Sequence, residues 1–233
     1  MTKKVNSDDN LSFKGFSQSS IKFFHDLNCN NNRNWFYANR EQYINFVSEP
    51  MKNLVRAILP AISHLDPLVV TSLNRVISRI YRDTRFSTNK LPYRPRIWFA
   101  FKRNVETWTM TPTYFFQFDE NNYMFGMGMY SASAATMRRF RELIDENPDH
   151  FREIIEPIQK SKSLKLESDT YKRRIPSNYP DTIDRWYQSK SIAVLGSRKP
   201  DKTLFSSNLV DFLTGRFILL KQLYDFLWKA AVL

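Results

Sequence analysis

The sequence predicts an α+β fold: a single domain whose central antiparallel sheet of about four to five strands is flanked by N-terminal and C-terminal helices. Helical periodicity dominates both ends of the chain, whereas the middle alternates with the two-residue period of strands. Of the 233 residues, 42% are hydrophobic and 15% aromatic, which is enough to bury a substantial core. Consecutive strands between two sets of helices are typical of α+β architecture.

The first third of the domain is predicted to be helical. Ser17 is a suitable N-cap for a helix that ends near Leu27. From Phe36 onwards, apolar and aliphatic-stemmed positions recur with the helical period. We expect Pro50 to kink or divide this second helix and Pro60 to end it, because proline lacks the backbone donor that a helix interior needs.

The middle of the chain is predicted to form the sheet. The predicted strands cover residues 75–82, 97–101, 114–118 and 123–130. The tetrad DENN at 119–122 is predicted to be the tight turn of a hairpin. Gly126 and Gly128 share one face of the return strand, which indicates close approach of a helix, a backbone or a ligand, with packing the favoured reading.

The C-terminal part returns to helices. Asn147 and Pro148 have the sequence of a cap followed by proline in the first helical turn. The remaining predicted elements are a helix after Ser131, an irregular stretch over 160–180, a short helix at 181–188, an edge strand at 192–195 and a final helix at 217–228.

Composition restricts the classes of function. No apolar run reaches the roughly 18 residues of a membrane helix, so we expect a cytoplasmic protein with no membrane association. Residues 1–10 are predicted to be a disordered lead-in to a domain over 11–233. The one cysteine, Cys29, and the three histidines lack the spacing of a metal or triad motif. No metal site and no cofactor are therefore predicted.

The formal net charge of +12 is concentrated in two segments. Residues 73–103 contain nine Lys/Arg and one acid, and residues 160–174 contain six Lys/Arg and two acids. The rest of the chain has equal numbers of acidic and basic residues. If both segments lie on one face, they form a strongly positive surface.

The stretch from Arg79 to Arg94, RIYRDTRFSTNKLPYR, is the first candidate site. Its arginines carry forked donors suited to phosphate or carboxylate, and its hydroxyl groups add further donors. The predicted ligand-binding residues are Arg79, Arg82, Arg85, Ser87, Lys90, Tyr93 and Arg94. Asp83 is the best candidate for a catalytic residue, as a base, a metal ligand or the ion-pair partner of an arginine. Strand alternation places Arg79 and Arg82 on opposite faces, unless the chain turns sharply at Asp83.

This stretch resembles the signature I-x-R-D-x-R-F-S-x-D-K-x-P-Y-K of a family called domain of unknown function 2461. The likeness covers residues 11–230 and extends to NNRNWF at 31–36, whose first two asparagines either cap a helix or bond across to the basic stretch. The resemblance implies no known activity. This chain departs from the pattern at Asn89, where the family has Asp, and at Arg94, where Lys is usual.

Three functions remain open from the sequence. The favoured one is an anion-binding site on the 79–94 loop for a phosphate-bearing ligand, either a nucleotide or a small phosphorylated metabolite, with or without catalysis. The alternative is a nucleic-acid-binding module that uses the basic 73–103 and 160–174 segments on an aromatic-rich sheet. In the third, the 79–94 motif is purely structural. The oligomeric state is not predicted.

Overall fold

The computed structural model describes residues 12–231 and confirms the predicted α+β fold. The predicted lead-in at residues 1–10 lies outside the described residues, and the domain limits 11–233 remain a prediction. None of the helices in the described range has the length and apolar character that a membrane span requires.

The sheet has five antiparallel strands in the order β1-β2-β3-β5-β4. They are β1 (Arg96–Phe101), β2 (Thr113–Asp119), β3 (Tyr123–Gly128), β4 (Lys165–Glu167) and β5 (Ala193–Arg198). The strands predicted at 97–101, 114–118 and 123–130 are confirmed within a few residues. The edge position predicted for 192–195 is wrong, because the short strand β4, within the stretch predicted as irregular, pairs with the outer side of β5.

The prediction of a strand at 75–82 is also wrong as stated. Leu73–Val76 forms a single helical turn, α5, and the extended residues that follow make only isolated bridges, Ile77 to Phe99 and Tyr81 to Tyr93. Alternating β-branched residues indicate extended backbone, but a strand also requires a continuous ladder of hydrogen bonds with a partner.

Helices cover one face of the sheet. Before the sheet the chain forms α1 (Gln18–Cys29), α2 (Arg33–Ala38), α3 (Arg40–Tyr43), a π-helical turn (Ile44–Ser48) and α4 (Glu49–Leu65). After β3 come α6 (Ala134–Glu146), α7 (Pro148–Lys160), α8 (Asp181–Tyr187), α9 (Asn208–Leu219) and α10 (Lys221–Ala231). The final helix therefore starts at Lys221, and Phe217 belongs to α9.

The predictions for the two prolines have different outcomes. Pro50 lies in the first turn of α4, after a division of the helical region, as expected. Pro60 does not end α4, which continues to Leu65. Ile58 and Ile62 on either side of Pro60 are fully buried, and their burial outweighs the backbone hydrogen bond that the proline removes.

Strand alternation gives the sheet two different faces. The face toward the helices consists of buried side chains such as Phe99, Phe116 and Phe125, and Phe99 contacts the ring of Phe217 on α9. Several of the alternate residues, among them Trp98, Phe115 and Gln117, are only partly buried. We call their side of the sheet the open face.

Close approach at the glycines of β3 is confirmed, and the neighbour is backbone. A Cβ at Gly126 lies 2.1 Å from the carbonyl oxygen of Val194 on β5, and the φ angle of Gly126 is +153°. Gly128 is similarly close to the backbone of Ala193. Strands β3 and β5 therefore approach at positions that accept no side chain.

Replacement of Gly126 by alanine tests this constraint. We expect Gly126→Ala to lower the free energy of unfolding by about 1–3 kcal/mol, because the Cβ both collides with β5 and strains the backbone. Gly215→Ala in α9 is the matched control, since apart from its chain neighbours and the backbone of its own helix no described atom lies within 4 Å of its Cβ position. That control is expected to stabilise by about 0.5–1 kcal/mol. Urea unfolding measures both, and equal stabilities of the two variants would contradict the assignment.

Candidate functional site

The basic stretch forms a closed loop beside the outer edge of β1. Arg82 N–H donates to Pro92 O and Arg94 N–H donates to Ile80 O, each at 2.8 Å. These two bonds flank the Tyr81–Tyr93 bridge and bring the ends of the loop together. The loop is thereby held at its base rather than extended into solvent.

Asn31 fixes this base to the N-terminal helices. Its side-chain nitrogen donates to Tyr93 O, and its side-chain oxygen accepts from Tyr93 N–H, both at 3.0 Å. The next residue, Asn32, caps α2 by accepting from Trp35 N–H. Of the two roles considered for these asparagines, Asn31 therefore bonds across to the basic stretch and Asn32 caps a helix. The buried Tyr93 ring stacks on Phe36 at 4.2 Å between centroids, which gives it a packing role.

Asp83 and Arg85 form an exposed bidentate ion pair. The carboxylate accepts from the Arg85 side chain at 3.0 and 2.7 Å and from its backbone N–H at 3.1 Å. The hydrogen bonds from the Arg85 side chain and backbone lower the pKa of Asp83 to about 2. Of the three predicted roles of Asp83, the ion-pair role is the one its contacts support.

Other residues of the loop tip bond to the loop itself. Lys90 Nζ donates to Thr84 O at 3.0 Å, and Ser87 Oγ accepts from Asn89 N–H at 3.2 Å. Asn89 Oδ1 accepts from Leu91 N–H at 3.0 Å, which is an acceptor role that the aspartate of the family pattern also fills. These contacts stabilise the shape of the tip.

The predicted ligand residues do not converge on one point. Arg79 lines a cleft of about 670 Å³ between the N-terminal helices and residues 73–81, together with Arg40 and Lys52. Lys52 is paired there with Glu49 at 2.6 Å. Arg94 instead lies above the ring of Trp98 on the open face, at 5.2 Å from its centroid. Arg79 and Arg94 therefore lie in different surroundings, and the opposite placement of Arg79 and Arg82 stays a prediction.

Three arginines gather where the loop meets the open face. Burial, followed by the charges of Arg82 and Arg96, lowers the pKa of Arg94. Arg94 donates to the carbonyl oxygens of Arg79 and Tyr81, and Arg96 lies 5.7 Å from the centroid of the Trp98 ring. Arg82 Nε is buried and finds no partner among the described residues. We call Arg82, Arg94 and Arg96 the arginine cluster.

Arg96 of the arginine cluster lines a cleft of about 460 Å³ on the open face, here called the aromatic cleft. Small residues of three strands, Ala100, Gly128 and Ala193, lie beneath it. Its larger lining residues are Trp98, Trp108, Phe115, Met129 and Tyr130. The polar lining comes from Arg96, Thr109, Thr113 and Gln117. Lys102 Nζ lies 3.6 Å from the centroid of the Trp108 ring, which places a further cation beside the cleft.

Sequence reasoning did not select the residues of the aromatic cleft. Strand alternation places Arg96, Trp98 and Ala100 on one face, and the glycines of β3 on the matching face of their strand. These two signals together indicate a shallow floor with aromatic walls. Within residues 12–231, no three His, Cys, Asp or Glu side chains group closely enough to hold a metal ion.

Comparison with protein families matches residues 19–226 to the family described as "Conserved hypothetical protein (DUF2461)". The match spans most of the chain and confirms the resemblance inferred from the sequence. The description states no activity. Comparison with curated proteins finds no match.

Asn31→Ala tests how the loop is held. The substitution leaves the N–H and C=O of Tyr93 without their partner, so we expect the protein to lose about 1–3 kcal/mol of stability. Trypsin should also cleave faster at Arg85 and Lys90, because the loop opens locally. Asn34→Ala, at an exposed position of α2, is the control and should change neither readout. Unaltered cleavage in Asn31→Ala would show that the loop is held by other contacts.

Proposed function

The chain belongs to the DUF2461 family, and we propose that it binds a phosphate-bearing ligand with an aromatic ring, such as a nucleotide. The ring lies in the aromatic cleft and the phosphate meets the arginine cluster. The observation that carries this proposal is the position of Arg94 and Arg96 over Trp98, which joins a cationic group to an aromatic surface.

The cleft supplies the surface for the ring. Trp98, Trp108 and Phe115 border it, and planar bases stack on aromatic side chains of this kind. Trp108 and Tyr130 keep exposed fractions of 36% and 88%. Large aromatic side chains left uncovered beside a concave floor are typical of a ligand site.

The arginine cluster supplies the charge for the phosphate. Burial, followed by the charges of Arg82 and Arg96, disfavours the charged form of Arg94 and lowers its pKa. A bound anion relieves this repulsion and accepts charge-assisted hydrogen bonds. Arg94 is already oriented by the carbonyl oxygens of Arg79 and Tyr81, so binding costs it little conformational freedom.

The other predicted residues have supporting roles in this proposal. Arg85, Ser87 and Lys90 stabilise the loop tip through their internal bonds. The purely structural interpretation thus applies to the tip, and the anion-binding interpretation applies to the base of the loop. No reaction is assigned, because a carboxylate with a pKa of about 2 is a weak base at neutral pH.

Arg96→Gln tests the cationic part of the site. Arg96 is exposed and borders the cleft, so the substitution removes charge without breaking the bonds that Arg94 makes. We expect about a tenfold loss of affinity for ADP by calorimetric titration. Arg56→Gln removes the same charge on α4, outside the cleft, and should bind ADP normally. Equal affinities of the two variants would contradict the site.

Trp108→Ala tests the aromatic part. We expect affinity for ADP to fall at least about fivefold through lost stacking, while affinity for pyrophosphate stays unchanged. Calorimetric titration with both probes separates the contribution of the ring to binding from the contribution of the phosphates. A parallel loss for both probes would show that Trp108 acts through the charge of Lys102, and an unchanged affinity for ADP would remove the aromatic cleft from the proposal.

A further inference from the structure

A second cationic cleft lies at the opposite edge of the sheet. It has a volume of about 630 Å³ and lies where β4 meets β5. Four cations, Lys162, Lys165, Arg198 and Arg216, line it, with Glu167 as the acid. Two of the four, Lys162 and Lys165, come from the basic 160–174 segment. We call this the lysine cleft.

The lysine cleft exists because β4 is short. It pairs with β5 only as far as Leu195, so the following residues of β5 have no strand on their outer side within the described chain. Arg198 and Arg216 both lie over the ring of Phe212, at 5.2 and 4.9 Å from its centroid. Arg216 Nε is buried and has no hydrogen-bond partner among residues 12–231, so a donor remains available there. Arg198 is paired with Asp201.

The lysine cleft and the aromatic cleft are neighbours. Leu195 lines both. The strand registers also place one row of residues across the open face: Ala100, Phe115, Gly126, Leu195 and Lys165. Residues directly opposite in antiparallel strands project from the same face, so Lys165 shares that face with the aromatic cleft. The open-face parts of the two clefts meet at Leu195, and we call them together the groove. Arg198 pairs with Tyr123 in the register and therefore projects from the helix-covered face, so Lys165 is the cation of β4 that faces the groove.

The groove has cations at both ends and aromatic side chains between them. The arginine cluster adjoins β1 and the lysine cleft adjoins β4, four strand spacings away, or about 19 Å. A single nucleotide is too short to contact both ends. A duplex encloses its bases and leaves the aromatic walls without stacking partners. A polyphosphate carries no rings, so it also leaves the aromatic side chains without stacking partners.

We infer that the ligand of this groove is single-stranded nucleic acid, with its backbone at both cationic ends and its bases on the aromatic side chains between them. This inference rests on the proposed function, since it uses the same arginine cluster and aromatic cleft. To the proposed function it adds the class of the ligand and a second set of contacts, those of the lysine cleft. It also assigns a common role to the two basic segments, which lie at opposite edges of one face.

Binding of thymidine oligonucleotides of different length tests the inference. The probes are 5′-phosphorylated thymidine chains of one, two, four and eight nucleotides, titrated against the full chain at several salt concentrations. Affinity is expected to rise with length until the chain reaches the lysine cleft. The doubly substituted Lys162→Gln/Lys165→Gln protein should bind the octamer about tenfold more weakly, and its salt slope should be smaller by about 1.4. Its affinity for the single nucleotide should not change.

The doubly substituted Lys172→Gln/Arg173→Gln protein is the control matched for charge. Both residues belong to the same basic segment and are exposed, but neither lines the lysine cleft. This control should bind the octamer like the unsubstituted protein. Equal losses in the control and in the Lys162→Gln/Lys165→Gln protein would overturn the lysine cleft and leave only general attraction to a positive surface.

The remaining outcomes separate the inference from the proposed function. If the single nucleotide binds and length has no effect, the inference fails and the proposed function stands. If no probe binds, and ADP does not bind either, both fail. If an eight-base-pair duplex binds as tightly as the single strand, stacking in the aromatic cleft is not used and the inference fails.

Discussion

The candidate site depends on the burial of one face of the antiparallel sheet. Helices cover the side that carries Phe99, Phe116 and Phe125, and this packing determines the orientation of every strand. Because side chains alternate along a strand, covering one face assigns the intervening residues to the other face. Trp98 and Phe115 lie on that second face for this reason. Strands β3 and β5 approach so closely at Gly126 that no side chain fits there.

The basic segments contribute to the site through a minority of their charges. Arg85 is paired with Asp83, Lys90 bonds within the loop, and Arg103 forms a buried pair with Asp66 at 2.8 Å. These cations stabilise the structure and are already paired. The arginine cluster at one edge of the sheet differs, because its members repel each other and Arg82 Nε has no partner in the described chain. The charge of Asp83 also acts on Arg94, but Asp83 is itself paired with Arg85, so the cluster keeps an excess of positive charge that suits an external anion.

Prediction from the sequence succeeded where local pattern decides structure. Three strands, the hairpin turn, the cap of α7 and the family were obtained from periodicity and motif. Prediction failed where pairing with a distant segment of the chain decides the structure. Residues 75–82 alternate as a strand does, yet they make only isolated bridges, of which one reaches β1. The strand at 192–195 became internal because β4, only three residues long, covers it. Trp98 was missed as a site residue because a tryptophan in a strand is equally suited to the core.

The sequence by itself determined the fold class, the family and the places where cations are dense, because these follow from residue order over short distances. Tertiary structure alone decided which face of the sheet is open and which arginines remain unpaired. It also decided that Arg79 and Arg96 line different clefts and that Leu195 lines two of them. The physical reason is that charge pairing and burial depend on distances between residues far apart in the chain, such as Asn31 and Tyr93, and local periodicity carries no information about those distances.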